Sequence, residues 1–412
     1  MTSIAIAGAA QVLRPPEDEL DYLRHDRAAE LALEPGDVLV DGGRIAGFAG
    51  SDGADVRIDA TGCGVLPGFV DCHTHLPFAG WRAEEYERKV TGVPYAEIAR
   101  AGGGIVSSAR ALAETGDEEV LAQSEALAGE MLRHGTTAFE GKTGYGLSFE
   151  GEARAARLAR ALAGRVAQPI AVTGLFAHAI PPGTTADAWM DEAERLARDC
   201  DVDALDIFVE SIAFGNEHLE RMGAIARATG RPLRTHVEQL TTYRSVPVAL
   251  AQGARSVDHL CCLHPDDVRP LSAADCGAVL LPGAELLDDE HTPPARELAD
   301  AGAICVLATD LNPGTSPIAS MPLIVGLAVR RYGWSLREAL LAATLNAAWV
   351  LGWSDELGSL ESGKRADLLL LDGPAEHVPY RLGHNPVAAV VLAGELAWVR
   401  PDQAWRVTRA PG

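Results

Sequence analysis

The sequence predicts an α/β protein, a (β/α)8 TIM barrel with a small composite β-sandwich domain formed by both chain ends. Three observations lead there. Eight apolar runs of strand length alternate with helical segments through the middle of the chain. Both ends hold short strand-like pieces punctuated by glycine instead. Histidines and acids with ligand chemistry recur where the central runs stop.

Residues 1–66 form the first part of the small domain. Asp37-Val38-Leu39-Val40-Asp41 leads through Gly42-Gly43 into Arg44-Ile45, a strand, a tight turn and a second strand. The barrel is assigned to 67–356. Its strands are expected at Val65–Asp71, Thr136–Glu140, Ile170–Phe176, Ala204–Val209, Leu233–His236, Ser256–Leu260, Ala278–Leu281 and Ile304–Thr309. Between them, Val120, Leu127 and Met131 share one helical face, as do Leu219, Met222 and Ile225. Ser335 followed by Glu338 reads as a capping box. Residues 357–412 complete the small domain. There Asp367 to Leu371 is an apolar run between charged flanks, and Ala388 to Val399 is two runs separated by Gly394-Glu395. An open doubly wound sheet is the runner-up, but no Gly-x-Gly-x-x-Gly follows the first strand.

At 412 residues, 47 % hydrophobic and 23 % charged, the chain has the length and composition to bury a sizeable core. Its 35 Lys and Arg against 58 Asp and Glu leave a formal charge of −23. That balance opposes any sequence-independent grip on nucleic acid or an anionic membrane, so neither is expected as a partner. No uninterrupted apolar run reaches the ~18 residues of a membrane span. Met1-Thr2-Ser3-Ile4 lacks the basic start of a signal peptide. The seven cysteines are odd in number and form no Cys-x-x-Cys pair, and so read as small buried hydrophobes in a reducing compartment. The expected location is cytoplasmic.

The chemistry sits at the strand ends. The first barrel strand leads into Asp71-Cys72-His73-Thr74-His75, and alternate residues of an extended chain face the same way, so His73 and His75 point together into the barrel mouth. The fifth strand ends on His236, and the eighth is followed by Asp310. Three imidazoles and a carboxylate at one mouth suit a single divalent ion, Zn²⁺ or Fe²⁺, with a position left for water. His134, His218 and His264 lie on helical or loop segments and are set aside as structural.

At this point the sequence resembles the amidohydrolase superfamily and, within it, the imidazolonepropionase family. The resemblance runs from about Pro67 to Pro386 and rests on six segments. These are Pro67 to His75, Ala101-Gly102-Gly103-Gly104-Ile105, Lys142-Thr143-Gly144-Tyr145-Gly146-Leu147, Ala177-His178-Ala179-Ile180-Pro181-Pro182, His236-Val237-Glu238-Gln239-Leu240, and Ala308 to Pro317. It implies metal ligation by His73, His75, His236 and Asp310. It implies contacts to a small anionic imidazolone substrate from Arg82, Tyr145, His178, Gln239, Asn312, Gly314 and Thr315. It also implies a homodimer. Elementary chemistry agrees in part, since an arginine fork suits a propanoate carboxylate. Tyr145 between glycines suggests a flexible approach to a small ring, and Gly314 suggests a backbone N–H that comes close to a substrate oxygen. The sequence departs from the family at Leu76 to Arg82, where Trp81 precedes the arginine, and at Val209-Glu210-Ser211-Ile212.

The implied reaction is hydrolysis of the ring amide of 4-imidazolone-5-propanoate to N-formimidoyl-L-glutamate in histidine degradation. Gln239, His259 and Asp310 are the candidates for catalytic work. Asp310 is read as a proton shuttle, and His259 as the polarising or proton-passing group, or alternatively as an orienter of Asp310. The rivals are an amidohydrolase acting on another cyclic amide, and a nucleobase-type deaminase. A deaminase wants a titratable acid near the fifth-strand histidine; Gln239 cannot serve, but Glu238 adjacent to it can. A binuclear site with a carboxylated lysine on the fourth strand lacks its lysine, because Lys142 follows the second strand.

Overall fold

The computed structural model describes residues 2–50, 53–93, 102–287 and 291–410. Its centre is a ring of eight parallel strands: Phe69–Asp71, Thr136–Lys142, Ile170–Ala177, Ala204–Val209, Leu233–Val237, Ser256–His259, Gly277–Leu280 and Ile304–Leu307. Every residue of these strands is buried, as expected of parallel strands with helices outside and a filled barrel inside. The ring closes between its first and last members through an isolated parallel bridge from Thr74 to Leu311. Asp310 N–H donates to the His73 carbonyl at 3.0 Å, and His75 N–H to the Leu311 carbonyl at 2.9 Å. The segments that carry three of the four expected ligands are thus the seam of the barrel.

Helices wrap the strands as the apolar spacing requires. Asp117–Arg133 buries Val120 and Met131, with Leu127 packed against the core, and Asn216–Thr229 buries Leu219, Met222 and Ile225. Ser335 and Glu338 form the capping box of helix Leu336–Ala342.

The chain ends share a second sheet of nine strands. Ile4–Arg14 pairs antiparallel with Ala32–Asp41, which turns through Gly42-Gly43 into Arg44–Gly47. From the C-terminal side, Leu368–Leu371 pairs antiparallel with Gly64–Pro67, and Val387–Leu392 and Glu395–Val399 follow outward. The expected strand Val65–Asp71 is therefore two strands: Gly64–Pro67 belongs to the terminal sheet, and Phe69–Asp71 opens the barrel. An unbroken apolar run hides that break, because both halves are fully buried.

Five of the seven cysteines are buried. Among the described residues, no helix is long and apolar enough to cross a membrane.

Candidate active site

The C-terminal ends of the strands surround a cavity of about 310 Å³ lined by His75, Arg82, Tyr145, His178, His236, Gln239, His259, Asp310, Asn312 and Thr315, among others. Nearly the whole set expected from the sequence thus converges on one space. Backbone strain concentrates at the same rim: Glu238, His259, Leu260 and Asp310 all hold left-handed φ, at 56°, 81°, 64° and 54°. Non-glycine residues bear that conformation only where their surroundings enforce it, and such positions cluster at functional sites.

His73, His75 and His236 are buried, and their ligand-type nitrogens fall within 4.8 Å of one another. Asp310 Oδ1 lies 3.5 Å from His73 Nε2 and 3.2 Å from His75 Nε2. On the far side of the rings, His73 Nδ1 meets Asp258 Oδ2 at 2.6 Å and His236 Nδ1 meets Asp206 Oδ2 at 3.1 Å. A carboxylate only accepts, so each Nδ1 carries the proton and each Nε2 turns a lone pair inward. Those two inward nitrogens are buried with no hydrogen-bond partner among the described residues. Burial keeps the His73 and His75 rings neutral by pushing their pKa values well below the ordinary one. Inward lone pairs from neutral rings, gathered around a carboxylate, have no donor to satisfy them. A cation does so, and the donor set therefore fits a divalent metal ion.

The remaining groups are held by more than their own loops. Arg82 precedes helix Ala83–Val90; its Nη1 donates to Ser108 Oγ at 3.1 Å, and its Nε stands 3.6 Å from Glu85. His178 Nδ1 donates to the Gly144 carbonyl at 3.1 Å. A neutral His178, its pKa lowered chiefly by burial, therefore presents Nε2 as an acceptor. Tyr145 is buried, which raises its phenol pKa and keeps it a donor. His259 is likewise neutral, its pKa brought down to about 3 by burial against a partial opposing pull from Asp310. Burial raises the Asp310 carboxyl above its ordinary value.

Two sequence-based readings of individual residues need correction. The loop around Tyr145 is pinned, not flexible: the buried Glu152 carboxylate accepts from the N–H groups of Gly144 at 3.0 Å, Gly146 at 2.6 Å and Leu147 at 3.3 Å. Gly144 is required for its φ of 115°, and a side chain on Gly146 would meet Glu152 N at 2.2 Å. The N–H of Gly314 is already spent on Asn312 Oδ1 at 2.8 Å. What the missing side chain provides is room: a Cβ there would come within 1.5 Å of Arg82 Nη2. Asn312 lines the cavity and also braces its own turn, with Nδ2 donating to the Asp310 carbonyl at 2.7 Å and to Thr315 Oγ1 at 2.8 Å.

Glu238 faces away from the cavity. It is fully buried and accepts from Tyr243 N at 3.1 Å and Ser245 N at 2.6 Å. Glu210 does similar service for the neighbouring turn, accepting from the N–H groups of Leu240 at 3.0 Å and Thr241 at 2.8 Å. Of the departures from the family pattern, Trp81 lies against Phe78 at 5.0 Å between centroids, while Ile212 reaches the cavity wall. His218 and His264 serve helix starts, receiving N–H bonds from Gly215 at 3.0 Å and Asp266 at 3.2 Å. Of the segment Ala101 to Ile105, Ala101 lies outside the described residues.

Sequence reasoning missed Glu140, Asp206, Arg234 and Asp258. Their signal was present: charged residues inside apolar strands are seldom buried without a partner.

A closed (β/α)8 barrel with three imidazoles and a carboxylate at its mouth defines the class as metal-dependent hydrolases of the amidohydrolase type, and residues 65–397 match the amidohydrolase family. The imidazolonepropionase of Rubrobacter xylanophilus is 42 % identical over 377 residues, covering 88 % of this chain and 91 % of that protein. That of Agrobacterium fabrum is 40 % identical over 387 residues, with the same coverage of 88 % and 91 %. The chain belongs to the imidazolonepropionase family of amidohydrolases. Solved structures share the fold at lower identity. An adenosine deaminase from Xanthomonas campestris with bound zinc has a TM-score of 0.70 at 20 % identity, over 96 % of this chain and 93 % of that one. A mutant atrazine chlorohydrolase from Arthrobacter aurescens, complexed with zinc and atraton, also has a TM-score of 0.70, at 19 % identity over 95 % and 94 %.

Proposed function

We propose that this enzyme hydrolyses the ring amide of 4-imidazolone-5-propanoate to N-formimidoyl-L-glutamate, with His73, His75, His236 and Asp310 holding one divalent ion. The observation that carries the reading is one cavity lined by both Arg82 and the imidazole–carboxylate cluster, in a chain 42 % identical to an imidazolonepropionase. Zn²⁺ and Fe²⁺ both suit three imidazoles and a carboxylate. A bound dication supplies Lewis acidity, lowering the pKa of water and polarising a carbonyl.

The chain's own groups divide the remaining work. The Arg82 guanidinium pairs with the propanoate carboxylate and sets the distance of the ring from the cluster. His178 Nε2 accepts from a ring N–H, and the Tyr145 hydroxyl and Gln239 amide hold the ring's other polar edges. Water attacks the ring carbonyl carbon, and Asp310 takes its proton. Neutral His259 donates to the carbonyl oxygen as negative charge gathers there. The carbon–nitrogen bond of the ring then breaks, and Asp310 hands the proton to the departing nitrogen. A deaminase reading requires Glu238 in the cavity; its carboxylate is committed to Tyr243 and Ser245.

The test is to follow loss of the ultraviolet absorbance of freshly generated 4-imidazolone-5-propanoate and confirm the product by mass. Turnover that is lost on chelation, restored by Zn²⁺ or Fe²⁺ and abolished by His236→Ala is the expected result. No turnover by protein holding one metal ion per chain refutes the substrate assignment.

A further inference from the structure

We propose that Lys142 is a positioning residue for the metal centre, joining the two carboxylates that orient His73 and His236 into one buried circuit of charge. The inference rests on the metal-binding reading above and goes beyond its ligands.

The circuit follows from strand geometry. Glu140 and Lys142 are two residues apart on the second strand, so both face the barrel interior. Arg234 and His236 are two apart on the fifth, which sets Arg234 one layer beneath the ligand. Lys142 Nζ lies 2.7 Å from Asp206 Oδ2, 2.9 Å from Glu140 Oε2 and 4.0 Å from Asp258 Oδ2. Arg234 pairs with Glu140 and, at 3.2 Å, with Asp258. Asp206 and Asp258 then each hold one imidazole, His236 and His73. All five charged side chains are buried, none more than 2 % exposed.

The signs of these charges matter as much as their places. Glu140, Asp206, Asp258 and Asp310 bring four negative charges, while Lys142 and Arg234 bring two positive ones. The connected set is therefore short by two positive charges, which is what a divalent ion carries. Removing one cation from such a dry cluster strands a carboxylate without compensation. Asp206 and Glu140 then turn away from one another, and His236 loses the fixed acceptor that aims its Nε2 inward. Lys142 is the residue whose loss reaches both oriented rings.

The experiment uses the full chain. Zn²⁺ affinity is measured by competition with a chromophoric chelator, and the visible spectrum of the Co²⁺-loaded protein reports ligand geometry. Lys142→Met is expected to weaken Zn²⁺ binding by about 10–100-fold and shift the Co²⁺ bands. Asp206→Asn, which still offers His236 an acceptor but removes the charge, should weaken it as well. The double variant should bind more tightly than the sum of the single losses predicts, because it deletes a charge of each sign. Lys142→Met and Asp206→Asn proteins that bind Zn²⁺ within twofold of the parent, with unchanged Co²⁺ spectra, overturn the proposal. Should Lys142→Met alone fail to fold, the double variant decides: a folded, Zn²⁺-binding double supports the circuit, and one as damaged as Lys142→Met overturns it. A parent chain that takes up no Zn²⁺ instead refutes the metal reading, and this inference falls with it.

Discussion

Substituting alanine for Gly314 separates the seating of Arg82 from the stability of the fold. The new Cβ would stand 1.5 Å from Arg82 Nη2, 2.0 Å from Cζ and 2.2 Å from Nε, so the guanidinium has to leave its place. The backbone itself tolerates the change, since Gly314 is not among the residues with positive φ. Its N–H bond to Asn312 is also available to alanine. Arg82 is a long side chain, and its displacement spares the core. The loss therefore falls on binding of the substrate carboxylate. A hydrogen bond to a charged group is worth about 1.5–3 kcal/mol, which at about 1.4 kcal/mol per tenfold raises KM by roughly 10–150-fold. Steady-state kinetics should show that rise, with metal content and thermal midpoint close to the parent's. Arg82→Met should do similar damage, and the double variant little more than Arg82→Met alone, because both changes remove the same contact. A KM within twofold of the parent, or additive losses in the double, refutes this account of Gly314.

His25 supplies a pH test away from the site. Its ring is buried against Trp334 at 4.3 Å with neither nitrogen hydrogen-bonded, and burial lowers its pKa from 6.5 to about 3. The unfolded chain therefore binds the extra proton, so this contribution is complete above about pH 6.5 and is lost as pH falls toward 3. His25→Phe should gain about 1.4 kcal/mol on the parent between pH 7.5 and 5.5 in urea unfolding, and a constant difference refutes the reading. Glu238→Gln should lower stability by about 1–2 kcal/mol through its loop bonds, yet leave the pKa values of the pH–rate profile in place; a displaced limb would make Glu238 a proton carrier. Ser335→Ala breaks the capping box of helix Leu336–Ala342 and should cost about 1 kcal/mol in denaturant unfolding at unchanged kcat.

Much of this molecule is written locally in its sequence. The barrel strands fall within a residue or two of the apolar runs, with one exception: the first begins only at Phe69. Apolar length and the spacing of buried helical positions are properties of neighbouring residues, and so is the shared direction of His73 and His75. Strand ends at one barrel mouth then bring His236 and Asp310 to the same cavity once the fold class is known.

Other features were decided only by tertiary contacts. Asp258 is 185 residues from the His73 it orients, and no local pattern ties the two. Glu238 reads as a cavity acid beside Gln239 until a left-handed φ of 56° and two backbone donors turn it away. Gly314 reads as a close-approach glycine, but which group approaches it, Arg82, depends on how two loops far apart in the chain meet. Periodicity shows which face of an element is buried. It carries no information about which buried polar group meets which, because the closure of the barrel sets those pairings.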